Sequence, residues 1–229
     1  MKYEMTFEQR ERVDKAKIPQ NTIKNKRNFP TTKEVLENRE FDMKTYVKMQ
    51  VESNRTDEID EHRYIKIDSI NYLRWSKELG VSPKTLKKNI QLLLKSGIIS
   101  KFVSSNGEAY YKIQNKFEYY LLFQEGFARS LLDSCSKNLI KVYFLYYKYS
   151  DLYGVCKLSQ KDILKQIGYP YNSSSAKMLK NINDALVKLG LISVEKDYEN
   201  KDKKTKLFLE IVAHHYLETE FYKNSTTSY

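Results

Sequence analysis

The stretch Leu86-Lys87-Lys88-Asn89-Ile90-Gln91-Leu92-Leu93-Leu94-Lys95-Ser96-Gly97-Ile98-Ile99-Ser100 returns later in the same chain as Leu179-Lys180-Asn181-Ile182-Asn183-Asp184-Ala185-Leu186-Val187-Lys188-Leu189-Gly190-Leu191-Ile192-Ser193. Leu, Lys, Leu, Lys, Gly, Ile and Ser recur in step. Each copy reads as an amphipathic helix stopped by glycine and followed by a β-branched strand. A glycine just past the last helical turn takes the left-handed conformation that closes the helix. A segment used twice predicts two domains of one type rather than one large domain.

Working outward from the first copy, Ser69 to Leu79 reads as a short helix with Ile70, Leu73 and Leu79 turned inward. Gly80-Val81-Ser82 is a turn. Ser82 N-caps the next helix, and Pro83 takes its first position. In that helix Leu86, Ile90, Leu93 and Leu94 share one side at 3.6-residue periodicity, and Lys84, Lys88, Gln91 and Lys95 share the other, with Thr85 at its edge. Two β-prone runs follow, Ile98 to Val103 and Ala109 to Ile113, joined through Asn106-Gly107. They predict a hairpin with a tight primed turn. Upstream, Phe41 to Ser53 predicts a first helix that buries Met43, Tyr46, Val47 and Val51. Arg63 to Asp68 predicts a short strand beside the hairpin.

The second copy repeats the order. Lys137 to Ser150 is an apolar, tyrosine-rich helix, and Lys157-Leu158 offers a short strand. Ser159 caps a helix over Gln160 to Ile167. Gly168 to Asn172 makes a longer turn, and Ser173 to Ser175 offer caps for a helix through Leu189. There Leu179, Ile182, Leu186 and Leu189 face inward, while Lys177, Lys180, Asn181, Asp184 and Lys188 face outward. A second hairpin runs from Leu191 to Tyr198, over a tip at Glu199 to Lys204, and back along Lys206 to Val212. Tyr143, Tyr146, Tyr147 and Tyr149 fall at helical spacing and read as packing residues rather than a stacking platform.

Helix, turn, helix, hairpin, used twice, predicts a mainly α chain with small β-hairpin wings (α+β): two tandem winged helix–turn–helix domains. The expected organisation is a basic arm at 1–41, partly helical around Phe7 to Lys17, a first domain at 42–116, a second at 117–212 and a tail at 213–229. Residues 117–134 form a packed connector, with Tyr119 to Phe123 as a buried strand and Leu131-Leu132 on a short helix.

The 229 residues carry a formal net charge of +11 and a pI near 9.3, with 41% hydrophobic and 30% charged positions. An ordinary globular balance with this much positive charge points to a polyanion, nucleic acid first. The charge is concentrated. Ten basic residues face three acidic ones between Lys66 and Lys116, and eleven face six between Lys157 and Lys206, whereas Glu52 to Glu61 is acidic. A helix–turn–helix places its second helix in the major groove of double-stranded DNA. Lysine suits phosphate or guanine, and glutamine bridges the N6/N7 edge of adenine. The residues expected to contact DNA are therefore Ser82, Lys84, Thr85, Lys87, Lys88, Gln91 and Lys95 from the first domain and Lys177, Lys180, Asn181 and Lys188 from the second. Lys201, Lys203 and Lys204 at the second hairpin tip are expected over a minor groove or phosphates. The opposing reading treats these lysines as an ordinary solvated face.

Catalysis has no carrier in the sequence. No phosphate-binding G-x-x-x-x-G-K-[ST] loop, G-x-S-x-G or H-E-x-x-H occurs. Metal-dependent nickases need two histidines flanking one apolar residue, but His214 and His215 are adjacent. Cys135 and Cys156 form no CxxC, so neither zinc nor any cofactor is expected, and two buried free thiols in a reducing cytoplasm fit better. No apolar run approaches a membrane span, and Met1-Lys2-Tyr3-Glu4 opens no secretory signal.

Residues 42–212 together, including Leu131-Leu132-Asp133-Ser134-Cys135-Ser136-Lys137-Asn138-Leu139-Ile140-Lys141-Val142-Tyr143, resemble the tandem winged-helix replication initiators of low-GC plasmids and phages. The resemblance implies binding to repeated origin sites, homodimerisation and recruitment of host replication proteins. The alternatives are a transcriptional regulator on the same fold and an adaptor that uses winged helices for protein docking.

Overall fold

The computed structural model describes residues 28–53, 62–113, 120–151, 154–156, 158–201, 204–215 and 219. The described chain is mixed α+β, with eight α-helices and small antiparallel sheets. It divides into two compact units. The first holds the described residues to Lys141 together with Gln166–Gly168, and the second holds Val142–Lys165 and the described residues from Tyr169 onward.

In the first unit β1 (Asn28–Thr32) leads into α1 (Lys33–Glu37), whose Val35 and Leu36 are fully buried. Asp42 then caps α2 (Met43–Glu52), accepting from the Thr45 amide at 2.8 Å and the Thr45 hydroxyl at 2.9 Å. The expected buried face of α2 is present, with Met43, Tyr46, Val47 and Val51 all in the core. Next come β2 (Arg63–Lys66), a 3-10 turn at Ile67–Ser69, α3 (Tyr72–Leu79), α4 (Pro83–Lys95), β3 (Ile99–Val103) and β4 (Ala109–Ile113). The sheet order is β2-β4-β3, antiparallel throughout. Alternation at period two buries Ile65, Ile99, Tyr111 and Ile113 and sends Tyr64, Phe102 and Tyr110 to the opposite face. There the three rings cluster, with centroids 5.5–6.5 Å apart. The unit closes with β5 (Tyr120–Gln124), paired antiparallel to β1, and α5 (Glu125–Ser134), which buries Phe127, Ala128, Leu131 and Leu132.

Charges tie three of these helices together. The Lys48 ammonium lies 2.7 Å from Glu52 and 2.6 Å from Glu78, over the Trp75 ring. Arg129 reaches Glu52 at 3.4 Å and Glu125 at 2.8 Å. Desolvation opposes ionisation of Glu52, but the Lys48 hydrogen bond and the charges of Lys48, Arg129 and Arg74 outweigh it and hold its carboxyl below the usual range.

Several local expectations are corrected here. The helix expected from Ser69 starts at Tyr72, because the Asn71 side chain accepts from the Arg74 amide at 2.9 Å and sets the cap there. That phase buries Trp75, Ser76 and Leu79. Leu73, two residues before Trp75 and so about 200° around the helix, is 68% exposed rather than inward. Leu94 is half-buried. The hairpin turn has three residues, not two. The Gly107 amide donates to the Ser104 carbonyl and the Ser104 amide to the Glu108 carbonyl, both at 2.9 Å, with Gly107 in the left-handed region. Residues 28–37, read as part of a polar arm, form a strand and a helix of the first unit. The expected helix at Phe7 to Lys17 lies outside the described residues.

The second unit repeats the order. It takes α6 (Lys137–Lys148) from Val142 onward, then α7 (Gln160–Gln166), α8 (Ser173–Lys188), β6 (Ile192–Lys201) and β7 (Lys204–Ala213). Ser159 caps α7 as expected, accepting from the Asp162 amide at 3.2 Å. Asn172, not a serine, caps α8, accepting from the Ser175 amide at 2.8 Å. Ile182 and Leu189 are half-buried rather than inward, while Leu179 and Leu186 are buried. Of the short strand expected at Lys157-Leu158, Lys157 lies outside the described residues and Leu158 is in no strand, but a pairing stands just before it. Val155 bridges Val212, and the Cys156 amide donates to the Ile211 carbonyl at 2.8 Å. Gly154 makes this approach, with φ at 81°; a Cβ there would stand 2.8 Å from the Ala213 carbonyl oxygen. The order of bridge, β7, β6 thus matches β2, β4, β3. The hairpin is longer than expected, since Glu199, Asn200 and Lys201 pair with Lys206, Thr205 and Lys204 instead of forming a loop. Tyr143 and Tyr146 are core residues, and Tyr147 and Tyr149 are half-buried. Both cysteines are free; Cys135 is buried but Cys156 only half so.

Candidate nucleic-acid interface

α4 is built to present one face. Ser82 accepts from the Thr85 amide at 3.1 Å, and the two hydroxyls lie 2.9 Å apart, so both side chains serve the cap at the helix start. Leu86, Ile90 and Leu93 fix the inner face. Asn89 donates to the Thr45 hydroxyl of α2 at 3.1 Å and sets the rotation of the helix. The Lys87 ammonium sits over the Tyr72 ring at 5.3 Å. Tyr72 is hydrogen-bonded to Tyr111 of β4, whose hydroxyl burial and this bond push up to about 12. These contacts lock α3, α4 and the hairpin to one another. What remains outward on α4 is Lys84, Lys87, Lys88, Gln91 and Lys95, all exposed. At about 100° of rotation per residue they fill a sector of about 100°.

α8 is held in the same way. Leu179 and Leu186 are buried, and Asn183 accepts from the Tyr146 hydroxyl of α6 at 2.9 Å. Lys177, Lys180, Asn181, Asp184 and Lys188 are exposed. The faces coincide position for position. Aligning the buried pairs Leu86 with Leu179, Leu93 with Leu186 and Ile99 with Ile192 puts Lys84 on Lys177, Lys87 on Lys180, Lys88 on Asn181, Gln91 on Asp184 and Lys95 on Lys188. Both helices stop alike. The Gly97 amide donates to the Leu94 carbonyl at 3.1 Å, and the Gly190 amide to the Val187 carbonyl at 2.9 Å.

The hairpins differ. In the first, Lys101 on β3 is exposed, beside Phe102 and Val103 at 42% and 64% exposure. Lys66 is paired with Glu108, which also accepts from the Tyr110 hydroxyl at 2.5 Å. The Lys66 hydrogen bond, with that of Tyr110, holds the Glu108 carboxyl below its usual range. In the second, Lys201 and Lys204 are paired at the far end of the strands, and Lys203 lies outside the described residues.

Compared with known proteins, the chain matches no family model, and no curated sequence aligns with it significantly. Among the described residues no group of three or more His, Cys, Asp or Glu could hold a metal ion, and no helix is long and apolar enough to cross a membrane. Sequence reading brought together the helix-face residues but did not single out Lys101, which is exposed on β3. The register of the repeat, aligned from the sequence, already puts Gln91 and Asp184 at one position.

Proposed function

We propose that the chain binds double-stranded DNA sequence-specifically through two winged helix–turn–helix units, without catalysis of its own. The observation that carries this reading is the matched stripe. Two helices, each second in a helix–turn–helix and each followed by a hairpin, expose lysines at three equal positions. From Lys84 to Lys95 is eleven residues, roughly 16 Å along the axis, against a major groove about 12 Å wide. Lysines at the ends of such a stripe meet the two phosphate rims, and the residues between them face the base edges. Seven lysines over the two stripes supply the sequence-independent part of binding.

The role we assign is initiation of plasmid or phage replication at repeated origin sites, and the second reading is transcriptional regulation on the same fold. A nuclease footprint of the full chain across the DNA that encodes it separates the two. Protected repeats inside an origin support initiation, and protection confined to promoters overturns it in favour of regulation. An adaptor that docks proteins predicts no protection at all.

A further inference from the structure

We propose that Asp184 selects a cytosine, so that the two units of one chain read different half-sites and the whole target is asymmetric. The inference rests on the DNA-binding reading above. The two exposed stripes agree at three lysine positions and differ at the two between them, Lys88 against Asn181 and Gln91 against Asp184. The shared positions are the ones that reach phosphate, which is the same at every step of a duplex and carries no sequence information. The differing positions are those over the groove floor, where each base pair presents its own donors and acceptors.

The chemistry at the differing positions separates the helices. Gln91 is an amide, donor and acceptor at once, and matches adenine N7 and N6. Asp184 is exposed and, when ionised, can only accept. Facing DNA it is repelled by phosphate, so it contributes favourably only where a base offers an amino group, and cytosine N4 is the donor that carboxylates read in the major groove. Lys180 and Lys177, one and two turns before it, and Lys188, one turn after it, offset the repulsion on either side. A carboxylate here therefore weakens binding to DNA at large and restores it at one base. Asn181, one turn before Asp184, adds an adenine-reading amide beside it.

The test is enrichment of duplexes from a randomised pool by the full chain, with Asp184→Asn, Asp184→Ala and Gln91→Ala run in parallel. The parent is expected to enrich a site of two unlike halves, one containing a required cytosine. Asp184→Asn should replace that cytosine by adenine. Asp184→Ala should remove the requirement, weaken the parent's site about tenfold and bind random duplex at least as tightly as the parent. Gln91→Ala should leave the cytosine in place and relax the other half. If the parent enriches a site and both Asp184 variants enrich the same one, Asp184 does not read a base and the inference falls while DNA binding stands. If the parent enriches two identical halves, asymmetry is refuted. If it retains no duplex, both readings fail together. Asp184 is solvent-exposed, and unchanged circular dichroism and melting of the variants confirm that a lost preference is not lost folding.

Discussion

Gln91 stands between Lys88 and Lys95 on the outer face of α4, and among the residues of that stripe its amide alone both donates and accepts. Gln91→Ala is expected to cost about 1–3 kcal/mol at the cognate site and little on random duplex. Lys84→Ala and Lys87→Ala, at the shared positions assigned to phosphate, should weaken both. Fluorescence anisotropy on the two duplexes measures this, and an unchanged cognate affinity for Gln91→Ala removes its reading role. A second residue reports on the fold rather than the site. Lys141 is only 4% exposed and donates to the Asn38 carbonyl at 2.6 Å. Burial, only partly opposed by Asp42, lowers its ammonium to about 8. Its folded value lies below its unfolded one, so between about pH 8 and 10.5 the unfolded chain holds the extra proton and stability rises with pH. The gain is on the order of 2 kcal/mol. Denaturant unfolding at pH 7.5 and 10 should show it for the parent and lose it in Lys141→Met; equal slopes in the two proteins contradict the assignment.

Among the elements, α4 was the most legible. Ser82, Pro83 and a glycine stop bound α4, and all three act locally, so their effect is written in neighbouring residues. Ser82→Ala should therefore destabilise the first unit by about 1 kcal/mol, with Ser82→Gly costing only a few tenths; equal losses in urea unfolding would show that the cap contributes nothing. The outward faces of α4 and α8 were readable for the same reason, since helical periodicity alone sorts Lys84, Gln91 and Lys95 from Leu86 and Ile90. Elements set by distant partners were not readable. β1 exists because it pairs with β5, with partners from Asn28↔Gln124 to Thr32↔Tyr120 far apart in the chain, and nothing in Asn28 to Thr32 announces a strand. Leu73 was misplaced because Asn71 caps the helix and Tyr72 begins it, which leaves Ile70 outside the helix; the buried face is set by Trp75, Ser76 and Leu79 instead of Ile70 and Leu73. The bridge at Val155 was missed for a similar reason. It depends on Gly154 passing close to the end of β7, a contact that only the folded hairpin creates.

On the scale of the whole molecule, the account stands on one claim: the two stripes of α4 and α8 are a surface for a polyanion. Each unit can be disarmed within the full chain, by Lys84→Ala with Lys87→Ala in the first and Lys177→Ala with Lys180→Ala in the second. Two weak sites joined on one chain raise each other's effective concentration, so either pair of changes should cost far more than its share of the charge. The most direct measurement is the salt dependence of binding of the full chain to duplex DNA between 50 and 200 mM salt. Each phosphate contact contributes a slope of about −0.9 in log K against log salt, so roughly four to eight contacts predict a slope between about −4 and −7. Each disarmed pair should make it shallower by about 2. A parent slope near zero, or one that neither pair of substitutions changes, would contradict the account.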